Sequence, residues 1–156
     1  MSTSTSAVRA IPGRSQEGAH CRRCPLPIET KPTETLGHVL GSCPYGHLAR
    51  INRHNTIRSI LATELKKQFE VYEEVSGIAS DGSSRRIDII AIDRKNKKGI
   101  IVDPTVRIES NENQPYDVND EKRSIYNPTI PYYKNKYGLN EIEVIGLLIG
   151  ARGMIL

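Results

Sequence analysis

RRIDIIAIDRKNKKGIIVDPTVRIE, residues 85–109, sets two Ile- and Val-rich runs on either side of a basic, Gly-ended turn. Runs of this length, rich in β-branched residues and bounded by a polar turn, predict a β-hairpin. Each run carries one aspartate among its apolar residues, Asp88 in the first and Asp103 in the second. A turn centred between Lys95 and Asn96 sets Ile92 opposite Gly99, Ile90 opposite Ile101 and Asp88 opposite Asp103. Directly opposed residues hold their Cβ atoms about 4.5–5.5 Å apart, and like charges there are destabilising. Two carboxylates kept in that position call for a bridging cation, and oxygen donors suit Mg²⁺ or Mn²⁺. Pro104, beside Asp103, removes a ladder donor, which is tolerable at a sheet edge, a bulge or a strand end.

Working outward, apolar residues recur upstream at Ile57, Ile60, Leu61, Leu65, Phe69 and Tyr72, which predicts a helix from Asn52 to about Val75. Glu70 and Glu73 would then lie on that helix as candidate outer carboxylates. Val75–Ala79 reads as a short strand, ended by the turn cluster SDGSS. Downstream, SNENQPYD (110–117) reads as polar loop and 118–126 as a helix stopped at Asn127-Pro128. A Tyr- and Lys-rich stretch follows, and then Ile142–Ile149, an apolar run that predicts a buried strand. The order helix, three strands, helix, strand implies an α/β fold, a small mixed sheet flanked by helices. On the second helix Lys122 and Tyr126 are four residues apart and share a face, so both can look at the sheet. Two carboxylates holding a metal, with a lysine beside them, suffice for phosphodiester hydrolysis. The metal activates water and the ammonium stabilises charge on the phosphorane.

All three cysteines fall within residues 21–43, in the spacing Cys21-x2-Cys24-x13-His38-x4-Cys43. An odd number of cysteines is not a disulfide framework. Three thiolates and one imidazole complete a tetrahedral structural zinc site, with no position left for a catalytic water. His20 and His47 are alternatives to His38 as the fourth ligand. A segment this short would fold around its metal.

Composition sets the outer bounds. With 156 residues, 37% hydrophobic and 26% charged, the chain is about one soluble domain plus the zinc module. No apolar run approaches the roughly 20 residues a membrane span requires. The first 19 residues lack the apolar core of a secretory signal, so the expected location is nuclear or cytoplasmic rather than secreted. Residues 1–20 read as a disordered leader or the end of a fragment, and the apolar GARGMIL at the C-terminus also suits a fragment. A net charge of +4 leans toward a polyanionic partner. One Phe and no Trp leave seven Tyr as nearly all the aromatics, thin equipment for stacking on single-stranded bases.

Taken together, CRRC…ETLGHVLGSCPYGHLARINRHNTI, RRIDIIAI…GIIVDPTVRIE, EKRSIY and IEVIGLLIGARG resemble the C-terminal region of site-specific non-LTR retrotransposon polyproteins. In that lineage, which inserts into ribosomal RNA genes, a CCHC zinc knuckle precedes a restriction-like PD-(D/E)XK endonuclease. The resemblance runs from about Cys21 to Gly153 and implies a knuckle at 21–50 and a nuclease domain at 51–156. It implies Cys21, Cys24, His38 and Cys43 as zinc ligands, Asp88 and Asp103 as magnesium ligands, and Lys122 as the displaced motif lysine. Ile87 stands where the motif has proline, Thr105 where the lysine usually follows, and Ile125 where a second lysine is often seen. Tyr126 would orient the lysine or the substrate. Arg50, Arg53 and His54 match a basic stretch between knuckle and nuclease, and with Arg85 and Arg86 they are the candidate nucleic-acid contacts. The implied partners are target DNA, element RNA and the rest of a polyprotein carrying reverse transcriptase, of which this chain shows no signature. A nucleic-acid-binding module without catalysis is the competing expectation.

Overall fold

The computed structural model describes residues 20–152, so the leader expected over residues 1–20 lies almost wholly outside it, as do residues 153–156. The chain divides into two compact units, one ending at Arg53 and the other beginning at His54.

In the first unit His20 forms an isolated bridge to Thr33, and the Cys21 amide bonds the Pro32 carbonyl at 2.9 Å. Short 3-10 turns at Ile28–Thr30 and Pro44–Gly46 flank a single π-helical turn, His38–Ser42. The three cysteines are its buried centre, in keeping with a segment that has too little apolar surface for a conventional core.

The second unit is a four-stranded mixed sheet in the order β1-β2-β3-β4: β1 Glu70–Ile78, β2 Ser84–Asp93, β3 Lys98–Arg107 and β4 Glu141–Gly150. β1, β2 and β3 form an antiparallel meander, whereas β4 runs parallel to β3. A parallel pair needs a crossover. Helix α2 (Gln114–Tyr126), a 3-10 turn (Asn127–Thr129) and helix α3 (Ile130–Tyr137) supply it. Helix α1 (His47–Leu65) spans the boundary between the units, and from His54 on it belongs to the second. The α/β class with a small mixed sheet flanked by helices matches the expectation from sequence. No helix among the described residues is long and apolar enough to cross a membrane.

The sheet is buried on both faces. Ala62, Ile89 and Val102 form one cluster with Leu61, Leu65, Val71 and Ile100. Ile87, Ile90, Ile92, Ile101 and Val144 form the other with Tyr126, Tyr133 and Leu139. The hairpin register is the one predicted, with Ile90 opposite Ile101 and Ile92 opposite Gly99, closed by a loop at Arg94–Lys97 in which Lys97 takes φ 53°.

Three boundaries differ from expectation. Helix α1 stops at Leu65, and the stretch from Glu70 to about Val75 expected as helix belongs to strand β1, of which the sequence marked only the end as strand. Tyr72 fits either period, and pairing with the Ile-rich β2 on both sides of Glu74 decides for strand. Helix α2 begins at Gln114 because Pro115 occupies its first turn, where a missing N–H costs nothing. Pro128 ends α2 as predicted, yet the Tyr- and Lys-rich stretch turns helical again as α3. Tyr133 of α3 is fully buried and donates to the Val75 carbonyl at 2.9 Å.

Candidate functional site

In the N-terminal unit the ligand atoms of Cys21, Cys24, His38 and Cys43 all lie within 4.8 Å of one another. Cys21 Sγ and Cys43 Sγ are 3.8 Å apart, which matches the edge of a tetrahedron around a zinc with Zn–S bonds of about 2.3 Å. The π turn sets the spacing, since the Cys43 amide bonds the His38 carbonyl at 2.7 Å. His38 Nε2 is buried with no hydrogen-bond partner, whereas Nδ1 lies 3.3 Å from Ser42 Oγ. An orphaned buried imidazole nitrogen beside three buried thiols is a donor set that fits zinc, with Nδ1 held in place by an outer partner. His20 Nδ1 is instead 2.9 Å from the Lys31 carbonyl, and His47 is exposed at the head of α1, so His38 is the fourth member of the cluster. Glu34, 3% exposed, accepts from the Arg22 amide at 2.8 Å and its guanidinium at 3.0 Å, latching the Cys21–Cys24 loop. Arg50 and Arg53 donate to the Cys43 and Leu40 carbonyls at 2.7 and 3.2 Å, so within this unit both brace the knuckle.

The second cluster belongs to the sheet. The β2–β3 ladder ends at Ile89 opposite Val102, one pair short of the aspartates. Asp88 and Asp103 therefore do not form the expected ladder pair. The strands fork there, and from Asp103 onward β3 pairs only with β4, Asp103 lying opposite Gly146. Pro104 sits in this stretch without a neighbour on the β2 side, so its missing N–H interrupts no β2 bond. The β1–β2 ladder also skips Asp88, because Glu74, which would oppose it, takes φ 52°. A non-glycine residue in the left-handed region stores strain of about 1–3 kcal/mol, and such residues cluster at functional sites.

Asp103 is 3% exposed and well partnered. Lys122 Nζ is 3.1 Å from Oδ1, Thr105 Oγ1 donates to Oδ1 at 3.2 Å, and Tyr126 donates to Oδ2 at 2.7 Å. Helix α2 presents Lys122 and Tyr126 from one face, as their spacing predicted. Gly146 allows the helix in, since a Cβ there would lie 2.7 Å from Lys122 Cγ and 2.8 Å from the Val118 carbonyl oxygen. Burial first, and then the Asp103 charge, hold the Tyr126 phenol far above its ordinary range, so it remains a donor.

Among the described residues Asp88 has one polar side-chain partner, His54, whose Nε2 is 3.1 Å from Oδ2. Burial raises the Asp88 carboxyl above its ordinary value. The Asp103 charge raises it further, against the opposing pull of His54, Arg58 and Lys122. Lys122 and Tyr126 thus contact Asp103 directly, and Asp88 is near enough to feel the charges of Asp103 and Lys122.

Not every candidate joins this cluster. Glu70 and Glu73 lie on β1, where Arg94 holds Glu70, and Arg58 and Lys66 hold Glu73. Arg85 and Arg86 are exposed, and Arg86 lies 3.6 Å from Glu74. Ile87 and Ile125 pack in or against the core, so the departures from the motif at those positions serve packing. Arg58 and Thr105 were not anticipated. Arg58, four residues after His54, bonds Glu74 at 2.8 Å and approaches Glu73 at 3.7 Å. The signal was available, because His54 and Arg58 continue the Leu61, Ala62 and Leu65 stripe of α1 that faces the sheet. A pocket of about 440 Å³ lined by Phe69, Ala91, Gly99 and Ile100 lies at the hairpin-loop end, and none of the candidate residues lines it.

No protein-family model matches the chain. Over 159 aligned positions, 97% of the chain, it is 30% identical to a retrovirus-related Pol polyprotein from the type-1 retrotransposable element R2 of Popillia japonica, of which it covers 24%. A second Pol polyprotein of the same description and organism is 28% identical over 148 positions, 93% of the chain and 29% of that protein. Homology to this Pol polyprotein therefore extends over most of the chain, which spans about a quarter of the length of the relatives it matches.

Proposed function

We propose that the chain is the metal-dependent endonuclease region of a retrotransposon polyprotein, which nicks target DNA while a zinc knuckle grips nucleic acid. The observation that carries this reading is the convergence of Asp88, Asp103, Lys122 and Tyr126 where two strands part. The similarity to R2 Pol polyproteins supports it independently.

The carboxylate pair fits a hard divalent cation. A carboxylate offers about four lone-pair sites. Asp103 uses three, on Lys122, Thr105 and Tyr126, which leaves one, whereas Asp88 uses one, on His54. Asp88 and Asp103 would hold Mg²⁺ or Mn²⁺, which when bound supplies an activated water and neutralises charge on the phosphate. Tyr126 and Thr105 fix the Asp103 carboxylate so that no reorganisation is needed as the reaction proceeds. Lys122, anchored by Asp103, places its ammonium beside the charge that develops on the phosphorane oxygens. Zinc at Cys21, Cys24, His38 and Cys43 would hold the knuckle rigid, and exposed Arg85 and Arg86 are placed to meet phosphates. The remainder of the polyprotein would supply reverse transcription.

Nicking of supercoiled plasmid with Mg²⁺ tests the proposal, with Asp88→Ala and Asp103→Ala as controls. The expected outcome is nicking by the wild type and a loss of at least a hundredfold in both variants. Nicking retained by the variants overturns the assignment. Absent nicking with DNA binding intact makes the chain a non-catalytic binding module.

A further inference from the structure

We infer that His54 is a positioning residue that orients Asp88 for the metal, an inference that rests on the nuclease reading above. The sequence placed His54 in a basic stretch directed at nucleic acid. In the structure its Nε2 instead lies 3.1 Å from Asp88 Oδ2. The side chain is 34% exposed and that of Asp88 is 18% exposed, so the contact is shielded but reachable by an ion.

The two carboxylates differ in how they are held. Asp103 is restrained from three directions by Lys122, Thr105 and Tyr126. Asp88 sits on a stretch of β2 where the ladders to β1 and β3 are both interrupted, so its backbone has less support than its neighbours. Among the described residues His54 is its one polar side-chain contact, and it engages Oδ2 while leaving Oδ1 unengaged. An imidazole held against one oxygen of a carboxylate restricts its rotation and leaves the other oxygen for a cation. Partners of that kind change metal affinity by about 10–100-fold when removed. The rigid source of the donor is helix α1, whose Leu61, Ala62 and Leu65 are packed on the sheet. Arg58, one turn on, is itself tied to Glu74, the residue opposite Asp88 whose φ of 52° opens the ladder. The helix thus fixes both the carboxylate and the strand irregularity beside it.

Isothermal titration of Mn²⁺ into the zinc-loaded full chain, alongside plasmid nicking across a Mn²⁺ series, tests this on wild type, His54→Ala, His54→Gln and Asp103→Ala. His54→Ala is expected to weaken Mn²⁺ binding by about 10–100-fold, with nicking recovering toward the wild-type rate at saturating metal. His54→Gln, whose amide can still donate to Oδ2, is expected to regain most of the lost affinity. Wild-type affinity in His54→Ala overturns the inference, as does equal weakening in the Ala and Gln variants, which would make the ring's packing the cause. In either case an intact difference between wild type and Asp103→Ala leaves the nuclease reading standing. No Mn²⁺ binding by the wild type overturns both.

Discussion

Replacing Tyr126 by phenylalanine removes one oxygen from a buried pair and leaves the aromatic packing in place. Tyr126 is 8% exposed among Ile87, Ile90 and Tyr133, and the phenylalanine ring keeps those contacts. Lost is the 2.7 Å bond to an Asp103 carboxylate that is 3% exposed, together with a long 3.4 Å contact to the Arg86 carbonyl. A hydrogen bond to a charged group contributes about 1.5–3 kcal/mol, more than a neutral one at about 1 kcal/mol. Lys122 and Thr105 remain to hold Oδ1, so the loss should sit mid-range, about 2 kcal/mol. For a chain of this size that lowers the unfolding midpoint by roughly 4–8 °C. Urea denaturation followed by circular dichroism measures it. The comparison that isolates the bond is the same substitution made in an Asp103→Asn background, where the acceptor is neutral. There the cost should drop to about 1 kcal/mol, leaving a coupling of about 1 kcal/mol. A Tyr126→Phe cost under about 0.5 kcal/mol, or the same cost in both backgrounds, refutes the argument that the phenol acts on the Asp103 charge.

Three further outcomes are expected. Asp88 is an acid whose folded-state pKa is raised above 3.8, first by burial and then by Asp103, so folding takes up a proton and stability falls as pH climbs through that window. Asp88→Asn should therefore be more stable than wild type at neutral pH in metal-free buffer, with the advantage vanishing in acid. Urea midpoints that track each other across pH would sink this. Purified protein should carry one equivalent of zinc, and Cys43→Ser should lose it along with the fold of the N-terminal unit, since metal binding and folding are coupled in such modules. Metal analysis that finds zinc retained in the variant counts against the cluster as a zinc site. Gly146→Ala forces a methyl against Lys122 and the Val118 carbonyl, an overpacking that costs about 1–3 kcal/mol. It should also cut nicking more than tenfold by moving Lys122, and unchanged nicking would show that helix α2 can give way there.

The hairpin was legible because two Ile- and Val-rich runs around a short basic turn fix one register, and the structure shows that register from the turn to Ile89 opposite Val102. Lys122 and Tyr126 were legible because helical spacing alone sets them on one face. The four zinc-ligand candidates, His38 among them, were legible from spacing, and the structure brings those four together and leaves His20 and His47 outside the cluster. The first part of strand β1 was hidden because Phe69 and Tyr72 satisfy a helical period by coincidence. The fork at Asp88 and Asp103 was hidden for a deeper reason. Pro104 announced that a ladder bond was missing, but which neighbour β3 would keep depends on β4, far along the chain. His54 was read with Arg50 and Arg53 as a basic stretch for nucleic acid, and Arg58 was not singled out, because charge outweighed their phase with Leu61, Ala62 and Leu65.

The parallel pairing of β3 with β4 also orders the site in time. β1, β2 and β3 are joined by tight turns, and hairpins of this kind close in about 1–10 μs. They carry Asp88 and Asp103 with them. Lys122 and Tyr126 arrive only when the chain closes across the crossover and Gly146 docks opposite Asp103, a non-local step that is intrinsically slower. A refolding chain should thus pass through a three-stranded meander in which Asp103, whose ladder partner lies on β4, is not yet held and its lysine is still absent. Pulse-labelled hydrogen exchange should find β1, β2 and β3 amides protected before those of β4, so the surroundings of Asp103 would be the last part of the domain to form.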